Sequence, residues 1–443
     1  MILGFLKQGM ARAGNAEYVK NAGALYLEAL KAPLLWPAEK LLAVSTFGIQ
    51  RGIATPARDR RRDMAEPSIS RSEALSLMAA TGAELVGLLH TAAQLRERHK
   101  GGVATYSRKV FIPLTNLCRD KCGYCTFAKQ PTHPGAGFLT PEEVLDIARA
   151  GQQQGCKEAL FTLGDHPELR YPVARAHLQR FGHDSTIGYL AEMCGLVLRE
   201  TGLLPHVNCG LLNAGELLQL REVCASVGLM LESSSARLLE RGQAHYGCVT
   251  KAPDLRVETI AAAARLGIAC TSGVLIGIGE TPEERTDALF LLRSVQEEYG
   301  NLQEVIVQNF RVKPDIRMRD WTDPTTLDMV RTLAVARLVL GGVQNIQAPP
   351  NLAPDAYQWY LLAGINDWGG VSPVTIDHVN PEREWPEITA LRAATAEAGY
   401  ELRERLCLYP EYVSRPEFVR SGIGSRIDAW TDQTGLVALK ETR

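Results

Sequence analysis

No run of apolar residues in this 443-residue chain approaches the ~20 that a membrane-spanning helix requires, so no span is expected. The opening segment MILGFLKQGMARAGN carries a short apolar patch without a basic stretch and a longer apolar core behind it, so no secretory leader is expected either. Neither sign of charge is in excess: 48 Lys and Arg face 50 Asp and Glu, a net charge of −2. A phosphate-backbone partner normally needs a basic surface, so nucleic acid is not the expected ligand. Ten cysteines in such a length are too sparse for a disulfide scaffold, and a reducing cytoplasm is the expected compartment. With 46% hydrophobic and 22% charged residues, the chain can bury a large core, and collagen, coiled coil and disorder are excluded.

Residues 1–68 read as an N-terminal helical extension, with helical patches near Ala16–Leu30 and Pro37–Thr46 and an arginine-rich linker around Arg58–Arg62. Residues 69–104 read as a helical lead-in: Ser70 is placed to cap a first helix, and Glu84–His99 is a second, ended by Gly101-Gly102. Beyond them strand-like and helix-like segments alternate. Strands are expected at Lys109–Leu114, Glu158–Leu163, His206–Cys209, Leu229–Glu232, Ala269–Ile276, Glu304–Phe310 and Gln344–Gln347. Helices are expected at Thr140–Gln153, Thr186–Glu200, Ala214–Ser226, Ala252–Leu266, Pro282–Tyr299 and Thr325–Leu340.

Such alternation implies βαβ units and a parallel sheet. The number of repeats suits an α/β fold of the (β/α)8 TIM type over residues 105–412, followed by a C-terminal tail at 413–443; an open doubly wound sheet is the alternative. Thr-Pro-Glu-Glu occurs at Thr140–Glu143 and again at Thr281–Glu284, each with Thr as cap, Pro at the first helical position and Glu at the third.

Three cysteines fall within eight residues. Cys118, Cys122 and Cys125 form a C-x3-C-x2-C pattern just after the first strand. Three thiolates on one loop can ligate three irons of a cubane iron–sulfur cluster and leave the fourth open to chemistry. Zinc is the alternative, but it wants a fourth Cys or His at recognisable spacing, and the nearest imidazole, His133, lies eight residues downstream in a Gly/Pro-rich loop. The other seven cysteines read as buried small hydrophobes.

With Tyr124 before the last cysteine, this loop resembles that of the radical S-adenosylmethionine (SAM) superfamily. The resemblance implies a radical SAM barrel with one 4Fe–4S cluster held by the three cysteines, SAM chelated on the open iron, and reductive cleavage of SAM to a 5′-deoxyadenosyl radical. It also implies SAM contacts at Tyr124, at Thr162 and Gly164 ending the second strand, at Glu232 for the ribose and at Arg256 for the carboxylate. Gly277 and Gly279 would lie under the adenine. The spacing Gly277-x-Gly279 fails as a dinucleotide fingerprint, because Pro282 stands where the third glycine belongs.

Four segments narrow the resemblance: TYSRKVFIPLTNLCRDKCGYCTF (Thr105–Phe127), QNFRVKP (Gln308–Pro314), QAPPNL (Gln347–Leu352) and GINDWGGVSPVTIDHVNPEREWP (Gly364–Pro386). Over roughly Ser70 to Tyr412 the chain resembles subunit 1 of 7,8-didemethyl-8-hydroxy-5-deazariboflavin (FO) synthase. That family closes the deazaflavin ring of coenzyme F-420 with loss of ammonia. Its substrate is the adduct 5-amino-5-(4-hydroxybenzyl)-6-(D-ribitylimino)-5,6-dihydrouracil. The resemblance implies a separate second subunit that makes this adduct from tyrosine, and a reductant such as ferredoxin or flavodoxin. A substrate with a uracil ring, a phenol and a ribityl chain calls for neutral hydrogen-bonding groups, and Asn309, Asn366, Asp367, Ser372, Thr375 and His378 are the candidates. Asn366–Gly370 also reads as a tight turn, and Trp368 as core. The sequence names no proton-transfer residue. Other readings remain: the tyrosine-using partner enzyme, or a non-enzymatic iron–sulfur or zinc module.

Overall fold

The structure, a computed structural model, describes residues 69–439; the expected N-terminal extension and its helical patches lie outside the described residues. Among the described residues nine parallel strands form one sheet: β1 (Val103–Thr115), β2 (Glu158–Leu163), β3 (Leu204–Asn208), β4 (Ser226–Gly228), β5 (Ala269–Ile276), β6 (Leu302–Asn309), β7 (Ile346–Gln347), β8 (Asp367–Val371) and β9 (Glu401–Glu404). β1 pairs with both β8 and β2, which closes the first eight strands into a barrel. Closure excludes the open doubly wound sheet. β9 adds to the barrel at Val103–Tyr106, below the point where β1 enters it.

Period-two alternation explains why β1 sits as it does. Val110, Ile112 and Leu114 are wholly buried, and Val110 packs so closely on the helix Pro141–Gln153 that a Cβ on Gly151 would lie 2.8 Å from it. Lys109 and Phe111, which alternate with them, face the barrel interior. Each outward aliphatic contributes roughly 1.5–3 kcal/mol by leaving water. Helix starts follow the expected chemistry. Ser70, Thr140 and Thr281 each form a reciprocal capping box with the glutamate three residues on.

Several boundaries differ from expectation. The fourth strand lies at Ser226–Gly228 rather than Leu229–Glu232, and the preceding helix stops at Arg221. The run Cys224–Gly228 continues the apolar pattern of Leu217 and Leu220, but its small residues are what fits between β3 and β5. Ser226 is fully buried beside His206. Residues after Gly228 leave the regular strand and bond along β5, Leu229 donating to Thr271 and Glu232 to Gly273. The segment Asp367–Val371 is strand β8 rather than a tight turn, with Gly369 at φ +69° absorbing the local bend. Trp368 is core, its Nε1 donating to Thr395.

The expected C-terminal tail is folded through residue 439. Leu406, Leu408, Tyr409, Phe418, Ile423 and Ile427 bury one another against Leu204 and Ala269, the first residues of β3 and β5. A second apolar cluster thus caps the N-terminal end of the barrel and leaves the C-terminal end for a site. No helix of the described residues is long and apolar enough to cross a membrane.

Candidate active site

The loop after β1 is held where the barrel opens. Asp165, just past β2, donates its backbone N–H to Cys118 Sγ at 3.3 Å, and its carboxylate pairs with Arg119 at 2.7 Å. Gly123 donates to Ala244 O at 2.7 Å and accepts from Met318 N. Gly164 is a position only glycine can fill: a Cβ there would lie 1.9 Å from the Leu117 carbonyl. These contacts present Cys118, Cys122 and Cys125 half-exposed, while the other seven cysteines are buried. One of those seven, Cys248, is more than a small hydrophobe. Its thiol donates to Tyr246 O at 3.8 Å, and its proximity lowers the Cys122 pKa, whereas burial pushes Cys118 up to about 12 and Cys125 upward. Among the described residues no three His, Cys, Asp or Glu side chains converge as ligands of a single metal ion would.

The three thiols line a cavity of about 310 Å³ together with Tyr124, Thr162, Gly164, Glu232, Arg256 and Asn309. Sequence reasoning therefore gathered most of one site from five separate segments. Gly277 and Gly279 are not brought in. The Gly277 N–H donates to the Glu280 carboxylate at 2.9 Å, and Cβ atoms on the two glycines would strike Pro324 and Trp321. Their positive φ values, +88° and +97°, serve the turn after β5, which the Glu280–Arg285 pair at 2.6 Å ties to the following helix, Pro282–Tyr299.

Glu232 is the electrostatic centre. Burial alone would raise its pKa, but Lys251, His245 and Arg256 outweigh that and hold the carboxylate well below the usual range. One oxygen pairs with Lys251; the other accepts from Tyr124 Oη and faces His245 Nε2 at 3.0 Å. Burial and the neighbouring negative groups push the Tyr124 hydroxyl well above its ordinary pKa, so it stays a donor. Glu232 also has φ +65°, and His166, next to Asp165, has φ +34°. These are the non-glycine residues with left-handed backbone among the described residues, and strained backbone concentrates at functional sites. Arg256, on the helix Pro253–Arg265, is 4% exposed and its Nε has no hydrogen-bond partner, which rules out a surface ion pair. Lys251, His245 and Cys248 carried no motif or periodicity that could have marked them.

The candidate substrate residues divide. Asn309 lies in the cavity wall with Oδ1 unpartnered, and His378 lines a deeper extension with Nε2 unpartnered. Asn366 and Asp367 are instead structural. Asn366 bonds Arg337, Asn345 and the Ile346 N–H beneath the barrel, and Asp367 takes a bidentate pair from Arg405 at 2.6 and 2.8 Å. They begin β8 rather than end it, so they lie toward the opposite face from the thiols. Ser372 and Thr375 bond each other, and Thr375 also accepts from the Phe111 N–H at 2.9 Å. They staple the segment 372–386 across the barrel.

Residues 112–292 match the model of the radical SAM superfamily. The 7,8-didemethyl-8-hydroxy-5-deazariboflavin synthase of Methanopyrus kandleri is 46% identical over 334 residues, covering 75% of this chain and 99% of that one. The chain belongs to that family. The FO synthases of Streptomyces avermitilis and Mycobacterium tuberculosis are 50% and 48% identical over 356 and 362 residues, 78% of this chain in each case. The chain covers 41% and 42% of those two proteins' lengths. Among solved structures, the FeFe-hydrogenase maturase HydG of Carboxydothermus hydrogenoformans superposes with a TM-score of 0.63 at 16% identity, covering 97% of this chain and 95% of that one. Methylornithine synthase (PylB) gives 0.59 at 18%, covering 76% and 95%. Both share the barrel. Membership of the superfamily implies a 4Fe–4S cluster and SAM.

Proposed function

We propose that this chain closes the deazaflavin ring of 7,8-didemethyl-8-hydroxy-5-deazariboflavin from the hydroxybenzyl–ribitylimino-uracil adduct, releasing ammonia. The observation that carries the reading is the joining of Cys118, Cys122 and Cys125 with Glu232 and a partnerless Arg256 Nε around one cavity. It sits in a chain 46% identical to a protein of that name over nearly all of that protein's length. The donor set fits the implied cofactors: three accessible thiols for iron, and a buried guanidinium whose fork suits a carboxylate. The cluster with SAM supplies, when bound, a 5′-deoxyadenosyl radical able to take hydrogen from an unactivated C–H bond.

The chain's own residues do the rest. Cys118, Cys122 and Cys125 ligate the irons. Arg256 orients the SAM carboxylate, and Thr162 and Gly164 border the SAM amino group. Glu232 presents the remaining acceptor capacity of its two oxygens to the ribose, with Tyr124, His245 and Lys251 fixing its orientation. Asn309 offers an acceptor to the substrate and His378 a ring nitrogen. The segment 372–386, held by Thr375 on β1 and by Thr126 Oγ1 donating to Val379 O at 2.8 Å, shields the cavity from water. A separate tyrosine-using subunit supplies the adduct, ferredoxin or flavodoxin supplies the electron, and the reducing cytoplasm is the setting.

Anaerobic incubation of the chain with dithionite, SAM and the adduct tests this reading. Deazaflavin fluorescence and the expected product mass support it. Turnover of tyrosine and the aminouracil instead, without the adduct, would assign the chain to the partner's reaction.

A further inference from the structure

Beyond the thiols the cavity continues into a second chamber of about 190 Å³, and the two share Thr162, Asn208, Gln308 and Asn380 in their walls. A barrel interior is normally filled with layers of Val, Ile and Leu. Here the inward positions of β1, β2, β3 and β6 carry Lys109, Glu158, His206 and Glu304, and Arg405 rises from below. Lys109 pairs with Glu158 at 2.7 Å, and Arg405 pairs with Asp367 at 2.6 Å and with Glu304 at 3.5 Å. His206 lies between Ser226 at 2.7 Å and Asn208 at 3.1 Å.

With its charges paired, this floor gives a phosphate or a free carboxylate no spare cation. What faces the space beyond those pairs is neutral in the amides of Gln308 and Gln347 and in His378 Nε2, and the further carboxylate in the wall, Asp377, already accepts from Asn351 at 2.9 Å, Val379 N–H at 2.9 Å and Asn380 at 3.0 Å. A hydroxyl both donates and accepts, so an uncharged polyol is the ligand class whose every polar atom suits such mixed walls. Phe111 and Trp385, stacked at 5.1 Å, give the chamber an apolar side for a carbon backbone.

We infer that this lower chamber is the binding compartment for the ribityl chain of the substrate, with Gln308 and Gln347 as specificity-determining residues. The inference rests on the proposed ring closure. In that substrate the phenol and the uracil ring become parts of the fused ring system, and the ribityl chain is the part that stays outside it. The reacting atoms belong beside the thiols, so the ribityl chain extends away from them into the contiguous space. The chamber's volume suits a fragment, since sites for whole drug-sized ligands run to roughly 300–1,000 Å³.

The test is equilibrium binding of two probes to the full chain: the ribityl-bearing deazaflavin product, and its analogue with a methyl group in place of the ribityl chain. The unaltered protein should bind the ribityl form about tenfold or more tightly, the equivalent of one to three neutral hydrogen bonds. Gln347→Leu or Gln308→Leu should shrink that preference at least severalfold while changing affinity for the methyl analogue less than twofold. The ligand comparison on the unaltered chain stands whichever variant folds. Equal affinity for both probes would overturn the chamber assignment and leave the ring-closing function standing. If neither deazaflavin binds, the functional reading falls, and the inference with it.

Discussion

At its upper end the barrel cavity is walled by strand ends and by what rises above them: the cysteine segment, the stretch around Glu232 and the start of the helix that carries Arg256. At its lower end it is walled by the strands themselves, through Lys109, Glu158, His206 and Glu304. The upper residues keep unspent capacity, in three accessible thiols and in unpartnered atoms of Arg256 and Asn309. The charges below are bound to one another. The difference teaches where each function belongs: unsatisfied groups await cofactors, and satisfied ones shape a neutral pocket while holding the barrel together. Breaking each region should therefore give different signatures.

The largest effect belongs to the thiols. Cys118→Ala, Cys122→Ala and Cys125→Ala should each abolish SAM cleavage and lower iron content while leaving the thermal midpoint close to that of the parent. Cys156→Ala should keep activity, since that thiol is buried and lines neither chamber. A variant of the first group with full iron and full turnover would remove that cysteine from the ligand set.

The floor should respond in the opposite way. Lys109→Met strands the Glu158 carboxylate, which is 1% exposed, so stability should fall by about 3–5 kcal/mol while iron binding persists in whatever protein folds. Chemical denaturation alongside iron analysis separates the two regions. Equal stability in Lys109→Met and the parent would show that the ion pair is not a structural floor.

Arg256→Ala should weaken SAM binding by about 10- to 150-fold, the cost of roughly 1.5–3 kcal/mol in charge-assisted hydrogen bonding, without loss of iron. Arg256→Lys should recover little of it, because an ammonium cannot reproduce the fork. A SAM titration of the reduced protein followed by electron paramagnetic resonance gives the midpoint, and an unchanged midpoint in Arg256→Ala would take the residue out of the site.

Two histidines sharpen the contrast with smaller effects. Burial works against charging His166, but hydrogen bonds to Asp165 and Glu216 outweigh it and raise its pKa to about 9. Its contribution is complete below the unfolded value of ~6.5 and is lost as pH rises through about 9. Burial lowers His206 to about 4, so its contribution is complete above ~6.5 and is lost as pH falls toward 4. His166→Gln should flatten the alkaline limb of the stability profile and His206→Gln the acid limb, each by about 1–3 kcal/mol. The same limb flattening in both variants would contradict the assignment.

The upper region was legible in the sequence because its chemistry is local. Cys118 to Cys125 needs only one loop, while Tyr124, Thr162, Gly164, Glu232 and Arg256 were singled out through the family resemblance, and the fold brings them to the wall of one cavity. Gly277 and Gly279 form the turn after β5 and are not among the residues lining the cavity; a turn glycine and a ligand-cradling glycine look alike in one dimension. The lower region was hidden for a different reason. Lys109, Glu158, His206 and Glu304 each stand at the start of an apolar run, where a polar residue reads as the end of a strand. Only the closed register shows that they point inward and meet. Asn366 and Asp367 misled because polar groups that tie a barrel together look like polar groups that hold a ligand until their place at the start of β8 is known. The buried C-terminal cap was missed because the apolar run Leu406–Tyr409 is short and its partners Phe418, Ile423 and Ile427 are spaced among polar residues.

The claim that one cavity divides into a reacting end and a holding end is tested most directly by a crystal structure of the anaerobically reconstituted chain with SAM and the ribityl deazaflavin. The account predicts iron density on Cys118, Cys122 and Cys125, the methionyl carboxylate against Arg256, and the ribityl hydroxyls among Gln308 and Gln347. Iron bound elsewhere, or a ribityl chain directed to solvent while water fills the lower chamber, would contradict it.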